Sequence, residues 1–324
     1  MPGALNSRIP PPNQGKRRDV DVVFLHDATG SQQPYLDAAT QESRNYVKGF
    51  ADELSSSAGI PGTARFRVVA FRDHREQGDA WTIQDFHDFT TDPAVLEKQF
   101  RGLVAEGGGD GPEAQLDALD AALRSPWSLS AKRIVFLITD SPPHGVEPGD
   151  KPPPSHAKSL TTEAIVANFK TQKIKLFVIG CTPTIENSYK NAVKYYKKLV
   201  KDINQGGIYR ELRRPGADTG PMKRTVVGST LHASDVFHME DRWEDWIKDN
   251  HEHGHEAIAS TMHEHLTSEG HKTHEFDSSP HVSYVAAPTT RARVDDIVSR
   301  TLEAHAARMA DPIMASVFDD DDDS

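Results

Sequence analysis

Three oxygen-bearing side chains follow the first apolar run of the sequence at alternate positions. In VDVVFLHDATGS (20–31) the apolar part ends at Asp27, and Thr29 and Ser31 come two and four residues later. A hard cation such as Mg²⁺ needs about six oxygen ligands, and alternate side chains of a short loop can supply several. Alternatively, Asp27 is the nucleophile of a phosphoryl transfer, or Asp27 and Ser31 only cap the next helix.

Two further aspartates follow segments that can reach the same place. Asp110 comes after three glycines in GGGDGPE, and Asp140 ends the apolar run KRIVFLITD. Ligands of parallel α/β sheets bind beyond the carboxyl ends of the strands, so we expect these loops to meet. The hydroxyls would be direct ligands, and the aspartates would supply charge directly or through water. The predicted metal ligands are Asp27, Thr29, Ser31, Asp110 and Asp140, with Mg²⁺ as the ion and Mn²⁺ or Ca²⁺ as alternatives.

Apolar runs that predict strands alternate with patterns of helical period along residues 19–212. The run 81–89 is poor in aliphatic residues and predicts an edge strand. Such alternation predicts a doubly wound, mostly parallel sheet flanked by helices, which is a Rossmann-like α/β fold. The predicted strands are 20–26, 64–71, 81–89, 132–140, 174–180 and 206–212, and the predicted helices are 34–55, 93–105, 112–124, 160–172 and 186–203.

Four short stretches together resemble a von Willebrand factor A (VWFA) domain. The resemblance is strongest to the intracellular type that occurs beside alpha-kinases and in related fungal proteins, and it covers about residues 19–212. It implies a metal-ion-dependent adhesion site (MIDAS) and a role in protein–protein interaction or scaffolding rather than catalysis. The stretches are DATGSQQPYLDAA (27–39), FRDH (71–74), GGGDGPE (107–113) and ITDSPPHG (138–145).

One position departs from the pattern of that family. Many A domains carry threonine in the second loop, where this chain has Asp110. Three aspartates around one Mg²⁺ give a site of formal charge about −1, which weakens attraction for an acidic partner. We therefore expect a tighter or more structural metal than in an adhesion receptor.

The enzyme alternative rests on a second similarity. DATGS is similar to the DKTGT of aspartyl-phosphate ATPases and the wider haloacid dehalogenase group, in which Asp27 would be the nucleophile. That chemistry needs a cationic side chain near the phosphate, but Ala28 stands where the motif has lysine. We therefore expect a binding module and not an enzyme, with a hydrolase or phosphotransferase as the alternative.

Several other residues adjoin the matched stretches. His26, His74 and His144 are interpreted as loop histidines held by backbone hydrogen bonds, with His144 as an alternative donor near the metal. Glu113 is expected to orient the glycine loop rather than to act as a base.

The composition changes after Leu212, where we predict a linker and helical extension over 213–317. The linker covers 213–222, and helical patterns follow at 240–250, 256–268 and 293–309. Ten of the 16 histidines fall between 232 and 281. HEHGHE (251–256) places His251 and His255 at the spacing of one helical face and matches H-E-x-x-H, a zinc-hydrolase motif. We interpret this segment as a solvated, pH-sensitive face, with a zinc site as the alternative.

The whole chain has the composition of an intracellular protein. Its single cysteine, Cys181, excludes an internal disulfide, and no apolar run approaches the length of a membrane helix. A net charge of −11 argues against nucleic acid as a partner. We expect protein partners and a cytoplasmic location, with the nucleus as the alternative because of KRR at 16–18. The segments 1–18 and the acidic tail 318–324 are predicted to be disordered.

Overall fold

The computed structural model describes residues 5, 9–11, 17–57, 62–85, 87–158, 160–277 and 283–310. It divides into two compact units, named here the sheet unit and the helical unit. The sheet unit comprises Gly15–Ser234 and Phe276–Tyr284, and the helical unit comprises Met1–Gln14, Asp235–Glu275 and Val285–Ser324. The predicted acidic tail lies outside the described residues, as does most of 1–18. The predicted domain limits of 19–212 and 213–317 stay predictions.

The sheet unit contains a six-stranded sheet in the order β3-β2-β1-β4-β5-β6. Only β3 is antiparallel to its neighbour, and the other four pairings are parallel. The strands are β1 Val20–Asp27, β2 Ala64–Phe71, β3 Ile83–Gln84, β4 Lys132–Thr139, β5 Ile174–Thr182 and β6 Tyr209–Arg213. The connecting helices are α1 Gln33–Ser57, α2 Pro93–Arg101, α3 Gln115–Leu123, α4 Thr162–Thr171, α5 Thr184–Ser188 and α6 Ala192–Ile203. The predicted doubly wound, mostly parallel α/β fold is confirmed.

An aromatic cluster fills one side of the central strands. Phe24 of β1 is fully buried, and its ring centre lies 5.5 Å from that of Phe136 in β4 and 5.3 Å from that of Phe100 in α2. The rings of Tyr46 and Phe66 complete its surroundings. A central strand of a parallel sheet is buried on both of its faces, which explains why β1 and β4 are almost continuously apolar.

Some predicted element limits are wrong, and local contacts explain two of them. Among the described residues of the predicted strand 81–89, only Ile83–Gln84 form a strand, since most of the others are polar. Helix α3 begins at Gln115 and not at Pro112, since the amide of Glu113 donates to Pro142 O (3.1 Å) and is held outside the helix. The predicted helix 186–203 is divided into α5 and α6.

The C-terminal helices form as predicted in type but not in extent. A single helix, α7 Gly220–Asp249, replaces the linker and short helix expected there; α8 His255–Ser268 and α9 Arg291–Met309 follow. The core of the helical unit contains Trp243, Ile258 and Ile297, all fully buried. Strands β7 Lys272–Asp277 and β8 Ser283–Pro288 pair with each other between α8 and α9, where no strand was predicted. Across the described ranges, no helix combines the length and the apolar character that crossing a membrane requires.

Gly207, just before β6, provides a test of the close packing at this edge of the sheet. A Cβ atom there would lie 1.9 Å from Leu176 O, a backbone atom that cannot move aside. We expect Gly207→Ala to lower the free energy of unfolding by about 1–3 kcal/mol, as overpacking does. Gly216→Ala is the control, because nothing lies within 4 Å of a Cβ at that position. Equal urea midpoints for the two variants would contradict the assigned packing.

Candidate metal centre

The ends of two neighbouring strands bring four of the predicted ligands together. Strand β1 ends at Asp27 and β4 ends at Thr139, and the two strands are parallel neighbours with His26 opposite Ile138. The turn after β1 carries Thr29 and Ser31, and Asp140 directly follows β4. The two loops therefore meet at the carboxyl edge of the sheet, as the topology predicts.

Hydrogen bonds join these loops around the two aspartates. Thr29 Oγ1 donates to Asp27 Oδ1 (2.6 Å), and Thr139 Oγ1 donates to Asp27 Oδ2 (2.8 Å). Ser31 Oγ donates to Asp140 Oδ1 at 3.1 Å. The other oxygen of Asp140, Oδ2, is buried and accepts no hydrogen bond. A buried carboxylate oxygen without a partner is costly, so this atom marks a position where a cation would be stabilised.

The carboxyl groups at this edge repel each other. Burial raises the pKa of Asp27 to about 7, and the charge of Asp140 adds to the effect. Burial and the charge of Asp27 likewise raise the pKa of Glu113 to about 11, and Glu113 Oε2 is buried without a hydrogen bond. Burial is the larger cause of both pKa shifts, and the neighbouring carboxylates add to it; a divalent cation would offset both effects.

Asp110 takes no part in the hydrogen bonds just described. The residue as a whole is exposed, but its carboxyl is partly buried. This partial burial raises the pKa of Asp110, and repulsion from Asp73 adds to the shift. The positive charge of His144 acts in the opposite direction. The carboxyl of Asp110 is therefore a neighbour of Asp73, and its role as a metal ligand stays a prediction.

Glycines allow the second loop to approach the first. Gly107 and Gly108 both have φ of +79°, a conformation that favours glycine. A Cβ on Gly107 would lie 1.8 Å from Asp79 Oδ1, and one on Gly108 would lie 3.1 Å from Thr29 Cβ. The amide of Gly30 donates to Gly107 O (3.3 Å), which ties the two loops together.

Histidines and aspartates form two further groups that could hold a metal ion. In each group one ligand atom per residue lies within 4.8 Å of the others. Burial alone would lower the pKa of His74, but the carboxylates of Asp117 and Asp73 outweigh it and raise the pKa to about 9. Backbone hydrogen bonds were expected to hold His74 and His144, but the carboxylate of Asp73 faces both of them. The groups are Asp73, His74 and His144, and His74, Asp117 and His156.

The histidine-rich segment does not form the helix that H-E-x-x-H requires. Residues His251–His253 make a 3₁₀ turn, Gly254 has φ of 79°, and helix α8 begins only at His255. His251 Nδ1 lies 2.8 Å from Lys248 O, and His255 Nε2 lies 3.1 Å from Asp295 O. The expectation that His251 and His255 share one helical face is therefore wrong.

A cleft of about 550 Å³ opens beside Ser31. Its walls come from α1, from the start of α5 and from the segment after β6. Thr184 and Arg214 are among the residues that line this cleft.

Comparison with known proteins gives a partial relationship. No family model matches the chain. Over 163 residues the chain is 26% identical to the alpha-protein kinase vwkA of Dictyostelium discoideum. This alignment covers 46% of the chain and 24% of the kinase. The match thus spans about a quarter of that relative. Two crystal structures of the pilus adhesin SpaC from Lactobacillus rhamnosus GG align with a TM-score of 0.46 and 12% identity, over 71% of this chain and 31% or 32% of the adhesin.

Proposed function

We propose that the sheet unit contains a VWFA domain that binds protein partners through a divalent cation at a MIDAS-type site. The observation that supports this most directly is the unpartnered, buried Oδ2 of Asp140 beside Ser31 and Asp27. The 26% identity with part of the alpha-protein kinase vwkA is consistent with this proposal. A role as a scaffold for other proteins follows from this proposal.

The residues of the centre have different tasks in this proposal. Asp140 Oδ2 and the exposed Ser31 hydroxyl are direct ligands of Mg²⁺, with Mn²⁺ or Ca²⁺ as alternatives. Asp27 has both oxygens hydrogen-bonded, so it acts through its charge and through water. Thr29 holds Asp27 and offers a second hydroxyl. We keep Asp110 as a water-mediated ligand, because this exposed residue is reachable from the edge.

The partner would contact the centre from the cleft beside Ser31. Thr184 gives this cleft polar surface, and Arg214 gives it positive charge. A carboxylate of the partner is attracted to Arg214 even where the crowded aspartates weaken its attraction to the metal. We therefore propose a partner segment that carries an acidic side chain.

Removal of the Ser31 hydroxyl tests the proposal. Ser31→Ala is expected to lower Mg²⁺ affinity at least about tenfold, since one ligand and its hydrogen bond to Asp140 are lost. Isothermal titration with MgCl₂ measures this, and Ser130→Ala, which changes an exposed serine before β4, is the control. Proteins captured with Mg²⁺ and released by EDTA should be absent from the Ser31→Ala sample. Unchanged affinity in Ser31→Ala would contradict the assigned ligand.

Phosphoryl transfer to Asp27 as the nucleophile is the competing proposal. Asp27 is fully buried and both its oxygens accept hydrogen bonds, an arrangement that favours a charge role over nucleophilic attack. Hydrolysis of p-nitrophenyl phosphate that disappears in Asp27→Asn would support the enzyme and contradict the binding module.

A further inference from the structure

A second set of possible ligands lies near the candidate centre but uses nitrogen as well as oxygen. His74 follows strand β2, and His156 lies in the long loop between β4 and α4. Their ring centres are 5.6 Å apart, and Asp117 in the first turn of α3 lies between them. Three segments distant in sequence thus contribute to one small cluster.

The hydrogen bonds of His156 determine which nitrogen is available. His156 Nε2 lies 2.9 Å from Leu160 O, and a carbonyl only accepts, so Nε2 carries a hydrogen. In the neutral ring Nδ1 then has a lone pair, and it lies 3.2 Å from Asp117 Oδ2. Two electron-rich atoms at this distance require a positive charge between them, either a proton or a metal ion.

His74 offers a second nitrogen to the same carboxylate. Its side chain is more than nine-tenths buried, and Nδ1 lies 3.2 Å from Asp73 Oδ1. Nε2 is buried and has no hydrogen-bond partner, although Asp117 Oδ2 is 3.3 Å away. A buried nitrogen in this situation is costly unless a further atom occupies the space beside it.

The distances and outer contacts match a zinc site. Ligand atoms about 2.0–2.2 Å from Zn²⁺ stand about 3.3–3.6 Å apart at tetrahedral angles, close to the 3.2 and 3.3 Å found here. Each histidine also has its outer nitrogen beside an acceptor, Asp73 for His74 and Leu160 O for His156. Such outer partners orient histidine ligands of zinc. Mg²⁺ prefers oxygen ligands alone, so the cluster selects a different ion.

We propose that His74 Nε2, Asp117 Oδ2 and His156 Nδ1 bind one Zn²⁺, with water as the fourth ligand. This site is separate from the Mg²⁺ centre and does not depend on it. It ties the end of β2, the first turn of α3 and the loop 141–160 together. His144 is not a ligand in this proposal, because its Nε2 lies 2.8 Å from Asp73 Oδ1 and its Nδ1 lies 3.0 Å from Asp150 Oδ1. These are hydrogen-bond distances, shorter than the separation of two ligand atoms around Zn²⁺.

Zinc binding by the full chain tests the proposal. The protein, purified without a histidine tag, is stripped with EDTA, dialysed into MgCl₂ and titrated with ZnCl₂ against a chromophoric chelator. We expect one tightly bound Zn²⁺ per chain. His156→Gln and His74→Gln should each lower the affinity more than about 100-fold, whereas His144→Gln should keep it within about tenfold. His251→Gln, an exposed histidine of the C-terminal segment, should leave it unchanged.

Three results would overturn the proposal. The first is no zinc uptake, which would leave a proton between His156 and Asp117. The second is a loss in His144→Gln as large as in His156→Gln, which would place the ion in the other group. The third is a loss in His251→Gln alone, which would assign zinc to the histidine-rich segment. If His156→Gln does not fold by circular dichroism, X-ray absorption of the zinc-loaded wild type and of His144→Gln decides. Two imidazoles in both proteins support the site, whereas the loss of one imidazole in His144→Gln, or an all-oxygen shell, excludes it.

Discussion

Phe24→Ala is expected to lower the free energy of unfolding of the sheet unit by about 3–5 kcal/mol. The ring is fully buried at the centre of the sheet, with Phe100 and Phe136 at ring-centre distances of 5.3 and 5.5 Å. Alanine would leave a cavity between strands β1 and β4, whose backbone pairing prevents the walls from closing. Urea unfolding followed by circular dichroism measures the loss.

Two companion variants make the Phe24 result interpretable. Phe24→Leu keeps most of the volume and should cost less than the alanine variant. Leu129→Ala removes a side chain that is 100% exposed and should change the stability by no more than about 0.5 kcal/mol. A loss below about 1 kcal/mol in Phe24→Ala would show that this ring is not part of a close-packed core.

Asp140→Asn should have opposite consequences with and without Mg²⁺. In EDTA the substitution removes a charge that repels buried Asp27, so the variant should be as stable as wild type or more stable. At a Mg²⁺ concentration of 100 times the dissociation constant, the wild type should gain about 2.7 kcal/mol, and the variant should lose most of this gain. Thermal unfolding in EDTA and across a MgCl₂ series measures both effects.

The control for Asp140 is Asp202→Asn, which changes a partly exposed carboxylate of α6 paired with Lys198. It should gain as much stability from Mg²⁺ as the wild type does. An equal Mg²⁺-dependent gain in Asp140→Asn would show that Asp140 does not bind the ion. Marked destabilisation of Asp140→Asn in EDTA would contradict the repulsion assigned to Asp27.

The central strands were predictable because burial on both faces leaves a direct trace in the sequence. β1, β2, β4 and β5 have limits within two residues of those expected from their apolar runs. The meeting of Asp27 with Asp140 followed from the same reasoning, since parallel neighbours end at one edge. Their role as metal ligands stays a prediction.

What the sequence did not reveal depends on contacts between distant segments. Asp117 has the pattern of an ordinary helical surface residue, and His156 stands in the proline-rich KPPPSH. Only the path of loop 141–160 brings His156 to Asp117. A usable signal for His74 existed, because FRDH is one of the stretches that resemble a VWFA domain.

The part of helix α7 before residue 240 was not predicted, for a local reason. The segment 213–222 contains two glycines and two prolines, which predict a linker. Two of these residues, Gly220 and Pro221, instead begin a helix. Gly220 is the first helical residue and Pro221 follows, and proline is well tolerated in the first turn, where its missing N–H is not needed. The β-branched residues Thr225, Val226 and Val227 then obscure the helical pattern.

The central place of β1 in the sheet has a consequence for synthesis on the ribosome. Its neighbours are β2 and β4, and roughly 100 residues separate the end of β1 from the start of β4. At about 5–20 residues per second, translation leaves one edge of this apolar strand unpaired for about 5–20 seconds. We therefore expect chaperones to bind the nascent chain at this strand until Lys132–Thr139 emerges from the exit tunnel.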